Sequence, residues 1–246
     1  MGQEKTMSLI EHLTEFRKVL IVSAFAIAIG TVAGFAVSEH FFGYLTGPVA
    51  SLAGTKFVTT SITEPIMVKL KVSLIAGIMI ALPVVAWQVW NFVLPALKKN
   101  ERKYVYIITP FSVLLFLAGA SFAFYVVMPV GIKFLLFVNS GVKYDPLITQ
   151  SSYLSFLLTF LLAFGLVFEL PVVLLVAVRA GFLTPQWLGK NRRYALFIIV
   201  VIAAFVSPTP DIPSLLLMAG PMYLLYEVSI WLSYLVARSR QKALQR

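Results

Sequence analysis

Six long apolar runs limit what this chain can fold into more than any other feature. They cover approximately residues 19–37, 72–94, 104–128, 153–178, 194–206 and 212–236. A helix that rises about 1.5 Å per residue needs about 20 apolar residues to cross about 30 Å of hydrocarbon. With 60% hydrophobic and 12% charged residues, the chain contains more apolar sequence than a soluble core absorbs. We therefore expect an all-α polytopic membrane protein that forms one integral membrane domain over residues 1–246.

The predicted bundle has six transmembrane helices, two of them short. The fifth run, residues 194–206, would reach only about 20 Å as a helix, so it must thin the bilayer or pair with the sixth. In the first run, residues 30–34 offer a small face for close helix packing. Kinked helices and a concave bundle are predicted by the prolines within or near the runs, which are Pro83, Pro110, Pro171 and Pro221.

Lysine and arginine are unevenly distributed between the two sides of such a bundle. An even number of spans places both termini on one side, together with 15 of the 20 basic residues. The five that remain opposite are Lys56, Lys69, Lys71, Lys133 and Lys143. Because cytoplasmic segments carry an excess of lysine and arginine, the sequence predicts that both termini are cytoplasmic. The net charge of +10 is thus explained by topology, and no motif indicates a nucleic-acid partner.

The sequence offers little for catalysis or metal binding. Cysteine is absent, and the two histidines, His12 and His40, are far apart in sequence. No serine–histidine, paired-aspartate or metal-ligand arrangement falls within the apolar runs. We therefore expect no enzymatic activity, no metal site and no cofactor.

One carboxylate, Glu169, lies in the apolar run 153–178, which contains no other charge. An ionisable side chain at the bilayer centre costs about 2.5–3.5 kcal/mol on insertion scales, and such groups usually face a protein interior or a water-filled cavity. Pro171 lacks a backbone donor and predicts a kink beside the acid. Glu169 is therefore either a functional site or a carboxyl group that holds helices together.

A proton-coupled small-solute transporter that uses Glu169 as its proton carrier is the alternative from another functional class. Such a transporter is expected to have more polar groups at the membrane midplane and a repeat symmetry. We count Glu169 as the one acid of the spans and find no internal repeat.

Few acids lie on the basic side of the predicted bundle. Glu15 lies on a predicted helix, and Glu101 lies in a basic stretch between the second and third runs. Each could bind a guanidinium group through paired hydrogen bonds, or form a common, weak local ion pair, with Lys18 and Lys98 respectively. Asp211 ends a proline-rich turn that includes Pro208, and we expect it to cap the sixth helix.

A series of short motifs follows a fixed order along the chain. They are HLTEFRK at 12–18, FVLPAL at 92–97, ER at 101–102, FGLVFELP at 164–171, RRY at 192–194 and SPTPD at 207–211. In this order, and on six spans, they resemble the TatC family, the multispanning subunit of the twin-arginine protein translocase. The resemblance covers approximately residues 8–236. It implies a receptor and translocation scaffold in the cytoplasmic (inner) membrane of a prokaryote.

The resemblance also implies the following roles for individual residues. Glu15 and Glu101 would accept the paired arginines of signal peptides on folded cargo, and Arg17, Phe92 and Pro95 would shape that site. The carboxyl group of Glu169 would face the concave side, where a partner's transmembrane helix or an inserted signal peptide offers a polar group.

Partners are implied in the same way. The family recruits single-span TatA and TatB-type proteins, works in the lipid bilayer and uses the proton motive force without nucleotide. Self-association within the receptor complex is also expected.

Overall fold

The protein is almost entirely helical in the computed structural model, which describes residues 9–53, 57–93, 105–137, 148–207 and 211–244. Two short strands and a π-helical segment, Ala123–Val127, interrupt the α-helices. The strands are β1 (Phe57–Val58) and β2 (Ile148–Thr149). The α-helices are α1 (Leu9–Ala53), α2 (Glu64–Val93), α3 (Val105–Phe122), α4 (Met128–Phe137), α5 (Gln150–Phe168), α6 (Leu170–Ala180), α7 (Pro185–Lys190), α8 (Arg192–Val206) and α9 (Ile212–Leu244).

All six predicted runs are helical, which confirms the predicted fold class. Five stretches are long and apolar enough to cross a membrane: Ile10–Gly47, Glu64–Val93, Tyr106–Phe134, Gln150–Ala180 and Ile212–Leu235. The remaining run forms α8, whose 15 residues span about 22 Å, so the predicted shortness of this segment is confirmed. The count of six spans, the orientation of the termini and the single domain stay predictions.

Helix α1 extends well beyond the predicted span at residues 19–37. It has 45 residues and is therefore about 68 Å long, more than twice the thickness of the hydrocarbon layer. The helix continues to Ala53, although the first apolar run ends at residue 37, and α2 begins at Glu64, although the second run begins at residue 72. A hydrophobic run marks only the part of a helix that lies in lipid, so it does not locate polar helix ends.

Helices α1 and α2 pack backbone against backbone through small residues. A Cβ atom added at Gly30 would lie 2.5 Å from the carbonyl oxygen of Gly77, and one added at Gly34 would lie 2.7 Å from that of Ser73. Contacts this short leave no room for a side chain. The predicted small face of the first run is therefore confirmed, and Gly77 of α2 is its partner.

Helix α5 contributes many of the largest fully buried side chains, which include Leu154, Leu157, Phe160 and Phe164. It packs against α2, α3 and α9. The helix ends at Phe168, Glu169 forms a turn, and α6 begins at Leu170. The helix is thus interrupted at the acid, two residues before Pro171, where the sequence predicts a kink.

The two ends of α2 are built differently. We call the end at its first residue the Glu64 end. There β1 and β2 pair in parallel, with Phe57 opposite Ile148 and Val58 opposite Thr149. The buried hydroxyl of Tyr153 donates to the carbonyl of Leu45 at 2.7 Å, which ties α5 to α1. The opposite end, the Phe92 end, lies about 45 Å away along the 30 residues of α2.

Candidate functional site

A cavity of about 440 Å³ lies between α2, α3 and the kinked α5–α6 pair. Its lining is mainly aliphatic and aromatic. Glu169, Ser112 and Trp90 contribute its polar groups, and the indole Nε1 of Trp90 donates to the Ser112 hydroxyl at 2.8 Å. The other lining residues are Leu82, Val85, Ala86, Val89, Val93, Phe116, Leu166, Val173, Val176, Ala177, Ala180 and Phe182.

The kink places Glu169 at this cavity. Glu169 forms the turn between α5 and α6, so its carboxyl group lies beside the break between the two helices. Its Oε2 atom is buried and has no hydrogen-bond partner among the described residues. Buried polar atoms are paired in the great majority of cases, so an unpaired oxygen calls for an explanation. In an apolar cavity it can hydrogen-bond to a polar group that enters from outside.

An aromatic cluster at the Phe92 end joins the start of α1 to the end of α2. The rings of His12 and Phe92 stack with centroids 4.4 Å apart and planes 21° apart. Phe16, one turn further along α1, lies 5.5 Å from Phe92 in a tilted arrangement. Aromatic pairs of this kind contribute about 0.5–1.5 kcal/mol beyond the area they bury. The cluster therefore fixes the part of α1 that carries Glu15.

The predicted arginine-binding residues are only partly within the described structure. Glu15 is half-buried and Arg17 is exposed on α1, and Phe92 is half-buried on α2. Glu101 and Pro95 lie outside the described residues. The structure thus brings Glu15 and Arg17 to the same end of the bundle as Phe92.

The alternative explanation for Glu15, a local ion pair with Lys18, is not seen. Within the described ranges, neither side chain takes part in a salt bridge. The corresponding alternative for Glu101 and Lys98 lies outside the described residues.

Phe92 is also next in sequence to a residue that lines the cavity. Trp90 and Val93, its neighbours on α2, both line the cavity, as does Phe182 in the turn after α6. The aromatic cluster and the cavity are therefore adjacent.

Asp211 sits immediately before α9. Its Oδ1 accepts a hydrogen bond from the backbone N–H of Ser214 at 2.8 Å. This is the geometry of an N-cap residue, which satisfies a backbone donor that the helix leaves unpaired. Pro208, in the same turn, lies outside the described residues.

A second acid in the spans, Glu227 of α9, was not predicted from the sequence. The count of one acid was wrong, since Glu227 lies in the apolar run 212–236. Its carboxylate accepts from Arg192 Nε at 2.7 Å, from Arg192 Nη2 at 3.0 Å and from the Tyr223 hydroxyl at 2.9 Å. A search of that run for charged residues would have found it, but not its partner 35 residues away.

Metal binding has no visible support in the described part of the chain. No three histidine, cysteine, aspartate or glutamate side chains group there in a way that could hold a metal ion. The chemistry available at the cavity is hydrogen bonding by one carboxyl group within apolar walls.

Comparisons with known proteins agree on one family. Residues 11–221 match the family described as Sec-independent protein translocase protein (TatC). A protein of that name from Carboxydothermus hydrogenoformans is 42% identical over 231 residues, which cover 94% of each chain. The TatC protein of Aquifex aeolicus is 39% identical over 96% of this chain and 98% of its own length. The protein TatCy of Bacillus subtilis is 37% identical over 96% of this chain and 92% of its own.

Solved structures give the same result. The crystal structure of a twin-arginine translocase receptor, TatC, superposes with a TM-score of 0.80 and 38% identity, over 92% of this chain and all of the other. A second structure of such a receptor, in DDM, has a TM-score of 0.81 and 39% identity, over 91% of this chain and 99% of the other.

Proposed function

The chain belongs to the TatC family of Sec-independent protein translocase proteins, and we propose that it binds the twin-arginine signal peptides of folded cargo. It is a multi-pass membrane protein and a component of a bacterial protein translocase. The alternative of a proton-coupled transporter that uses Glu169 is not favoured by these matches.

The proposed binding face is the Phe92 end of the bundle, with both termini on the cytoplasmic side of a prokaryotic inner membrane. This orientation is supported by the excess of lysine and arginine in the segments that flank this end.

Glu15 and Glu101 are proposed to accept the two arginines of the signal peptide. A guanidinium group matches a carboxylate with two parallel hydrogen bonds, a geometry that lysine does not reproduce. Glu15 is supported in this role because it has no salt bridge in the described part of the chain and sits on the segment fixed by the aromatic cluster. Arg17, Phe92 and Pro95 are proposed to shape the site.

The observation that carries this proposal is that the aromatic cluster adjoins the cavity on one helix. A signal peptide places an apolar segment of about 7–15 residues after its basic region. The cavity follows α2 from Leu82 to Val93, which is about 17 Å of helix and matches an apolar segment of about 11 residues. Arginines held near Glu15 would leave the following segment beside the cavity.

Glu169 is proposed to receive a polar group from a helix that occupies the cavity. This helix could be the inserted signal peptide or the transmembrane helix of a TatA or TatB-type partner. Since the Oε2 atom of Glu169 is buried without a partner in the described structure, a donor on the entering helix would satisfy it.

Assembly completes the proposed function. The chain is proposed to associate with single-span TatA and TatB-type proteins and with further copies of itself in the bilayer. Export would be driven by the proton motive force, without a cofactor.

The direct test of this function is photocrosslinking of signal peptides to the purified protein. Peptides with paired arginines should label residues near Glu15 and Glu101, and peptides with paired lysines should not. Because hydrogen bonds to charged groups contribute about 1.5–3 kcal/mol, Glu15→Gln should weaken arginine-dependent binding by about tenfold or more.

Glu39→Gln is the matched control, since it makes the same chemical change at an exposed acid of α1 on the opposite side of the Gly30–Gly77 contact. Undiminished, arginine-dependent labelling of Glu15→Gln would remove Glu15 from the site. Equal labelling by lysine peptides in the unaltered protein would overturn the proposed function.

A further inference from the structure

A second depression in the surface lies where the start of α8 meets the later part of α9. It encloses about 320 Å³ and is lined by Arg192, Ile230, Trp231, Tyr234 and Leu235. Ile230 is buried, whereas Trp231 and Leu235 are 74% and 60% exposed. The depression is thus an apolar groove with one charged group. We call it the Arg192 groove, and it shares no lining residue with the Glu169 cavity.

The Arg192 groove lies near one end of the membrane-spanning part of α9. This span begins at Ile212, directly after the capping residue Asp211, and ends at Leu235. The carboxylate of Glu227, which binds Arg192, lies about 24 Å along the helix from Asp211. A hydrocarbon layer about 30 Å thick with one boundary at Asp211 extends beyond this level. The guanidinium of Arg192 is therefore placed just inside the apolar layer, where a charged group needs partners.

Glu227 satisfies the donors of Arg192 only in part. Its carboxylate accepts from Nε at 2.7 Å and from Nη2 at 3.0 Å. A guanidinium has five N–H donors in a planar fork, so three remain, one on Nη2 and two on Nη1. Within the described ranges no other acceptor binds them, and 49% of the side chain is exposed. The outer edge of the fork can therefore bind a second oxyanion through two parallel hydrogen bonds.

The rest of the groove matches the other parts of a phospholipid. Tryptophan and tyrosine are enriched at the headgroup level of a bilayer, where their polar atoms meet the lipid ester and phosphate groups. In the described part of the chain, neither the indole N–H of Trp231 nor the hydroxyl of Tyr234 has a hydrogen-bond partner. Both can donate to lipid oxygens, and Ile230 and Leu235 offer an apolar surface to an acyl chain.

The charge around the groove favours an anionic headgroup. Residues 179–193 include four basic residues and no acid, and Glu227 compensates only one of these charges. Lys190 and Arg193 are exposed and lie within two residues of Arg192 in sequence. A zwitterionic headgroup would bring a further cation to this surface, whereas an anionic headgroup would not. Basic pockets between membrane helices bind anionic headgroups for the same reason.

We propose that the Arg192 groove is a binding site for a phospholipid with an anionic headgroup. Arg192 binds the phosphate, and Trp231 and Tyr234 contact the glycerol region. Glu227 is a positioning residue, because it holds the guanidinium with the outer edge of the fork towards the lipid. The proposal does not depend on the signal-peptide site and requires only that the chain spans a membrane.

Trp231 makes occupancy of the groove measurable. The protein is placed in nanodiscs of phosphatidylcholine with a small fraction of phosphatidylglycerol, and bromine on the acyl chains of one lipid or the other quenches nearby indole fluorescence. The signal of Trp231 is the difference between the protein and Trp231→Phe. Per lipid molecule, we expect brominated phosphatidylglycerol to quench this signal about tenfold more than brominated phosphatidylcholine, because its phosphate gains hydrogen bonds to a charged group.

Paired variants separate a lipid site from a purely structural ion pair. Arg192→Gln combined with Glu227→Gln removes both charges and leaves neither unpaired, so the preference for phosphatidylglycerol should disappear. Glu227→Gln alone keeps an oxygen acceptor for Arg192 and removes the negative charge beside the phosphate, so the preference should rise about twofold. Arg193→Gln is the matched control, since its guanidinium lies over the Tyr194 ring and does not line the groove. We expect it to change the preference by less than about twofold.

If the double variant does not fold, Leu235→Glu places an acid in the groove at an exposed position and should lower the preference about fivefold. Equal quenching by the two lipids in the unaltered protein would overturn the lipid site. So would equal losses in Arg193→Gln and the double variant, or equal losses in Glu227→Gln and the double variant. Displacement of bound phosphatidylglycerol by millimolar inorganic phosphate would also overturn it, since the groove would then be a site for small anions.

Discussion

Two carboxyl groups of this bundle, Glu64 and Glu169, have opposite surroundings. Glu64 is 5% exposed, and its Oε2 accepts from the backbone N–H of Thr60 at 2.6 Å. Its Oε1 accepts from the backbone N–H of Ser151 at 3.0 Å, which joins the start of α2 to the start of α5. Glu169 has a buried oxygen without a partner in the described chain. The difference separates an acid whose two oxygens are both hydrogen-bonded within the fold from one that keeps an oxygen without a described partner.

The surroundings of the two acids differ in the same way. Near Glu64, the ammonium group of Lys71 donates to the carbonyl and hydroxyl of Ser151 at 3.0 and 2.6 Å, and to the Ser155 hydroxyl at 2.6 Å. Near Glu169, the walls are apolar and enclose about 440 Å³. The Glu64 end is therefore held together by several hydrogen bonds, whereas the cavity walls are held mainly by apolar contacts.

The Glu64 end and the cavity both depend on α2, so a change in the middle of this helix should destabilise both. A Cβ atom at Gly77 would lie 2.5 Å from the backbone nitrogen of Thr31, and backbone cannot move aside as a side chain can. Because overpacking costs about 1–3 kcal/mol and occasionally more, Gly77→Leu should destabilise the protein by about 3 kcal/mol. Denaturant titration in detergent micelles measures this loss, which is the largest we expect.

Gly43→Leu is the matched control for that variant. It places the same side chain on α1 at a position where an added Cβ atom meets nothing within 4 Å. Equal stability of the two variants would show that the α1–α2 contact does not hold the two regions together.

Removal of the Glu64 carboxylate tests the contribution of the Glu64 end alone. Glu64→Leu leaves the backbone donors of Thr60 and Ser151 without their acceptor, and an unsatisfied donor costs more than a lost hydrogen bond contributes. We expect the thermal midpoint in detergent to fall by several degrees, a smaller loss than in Gly77→Leu. Twin-arginine peptide binding by the remaining folded protein should persist.

Glu39→Leu provides the comparison, because Glu39 is exposed and its single ion pair is long at 3.5 Å. A midpoint in Glu64→Leu no lower than in Glu39→Leu would contradict a structural role for Glu64.

The helical elements could be predicted from the sequence because the bilayer imposes their length. The short α8 and the kink at Glu169 follow from local features, a run of few apolar residues and the missing donor of Pro171. The extension of α1 to Ala53 could not be predicted in this way, since a helix beyond the membrane needs no continuous apolar run.

The sequence predicts the candidate site only where the position of a single residue indicates a function without knowledge of its contacts. Glu169 was identified because an acid in an apolar run is costly wherever its partners lie. The cavity around it depends on Trp90, Ser112 and Phe182, which come from three parts of the chain. The ion pair of Glu227 with Arg192 likewise depends on packing of α8 against α9. Sequence spacing carries no information on such contacts.

Replacement of Glu169 gives the smallest expected effect on stability and tests most sharply how the two acids differ. Glu169→Leu removes the hydrogen bond between the carboxyl group and the Ser112 hydroxyl, together with an oxygen that has no described partner, so the free energy of unfolding should change by no more than about 1 kcal/mol. Crosslinking of a partner's transmembrane helix to the cavity should nevertheless fall about tenfold, the value of one hydrogen bond of about 1.4 kcal/mol.

Glu169→Gln separates hydrogen bonding from apolar packing in this variant. The amide keeps an oxygen acceptor and adds a donor, so it should retain more partner crosslinking than leucine does. A loss of stability in Glu169→Leu as large as in Glu64→Leu would mean that both acids hold helices together. Loss of crosslinking without loss of stability would mean that the Glu169 carboxyl group serves to bind another chain. An ionisable group in a membrane span is costly, so one that does not stabilise the fold is expected to have a function.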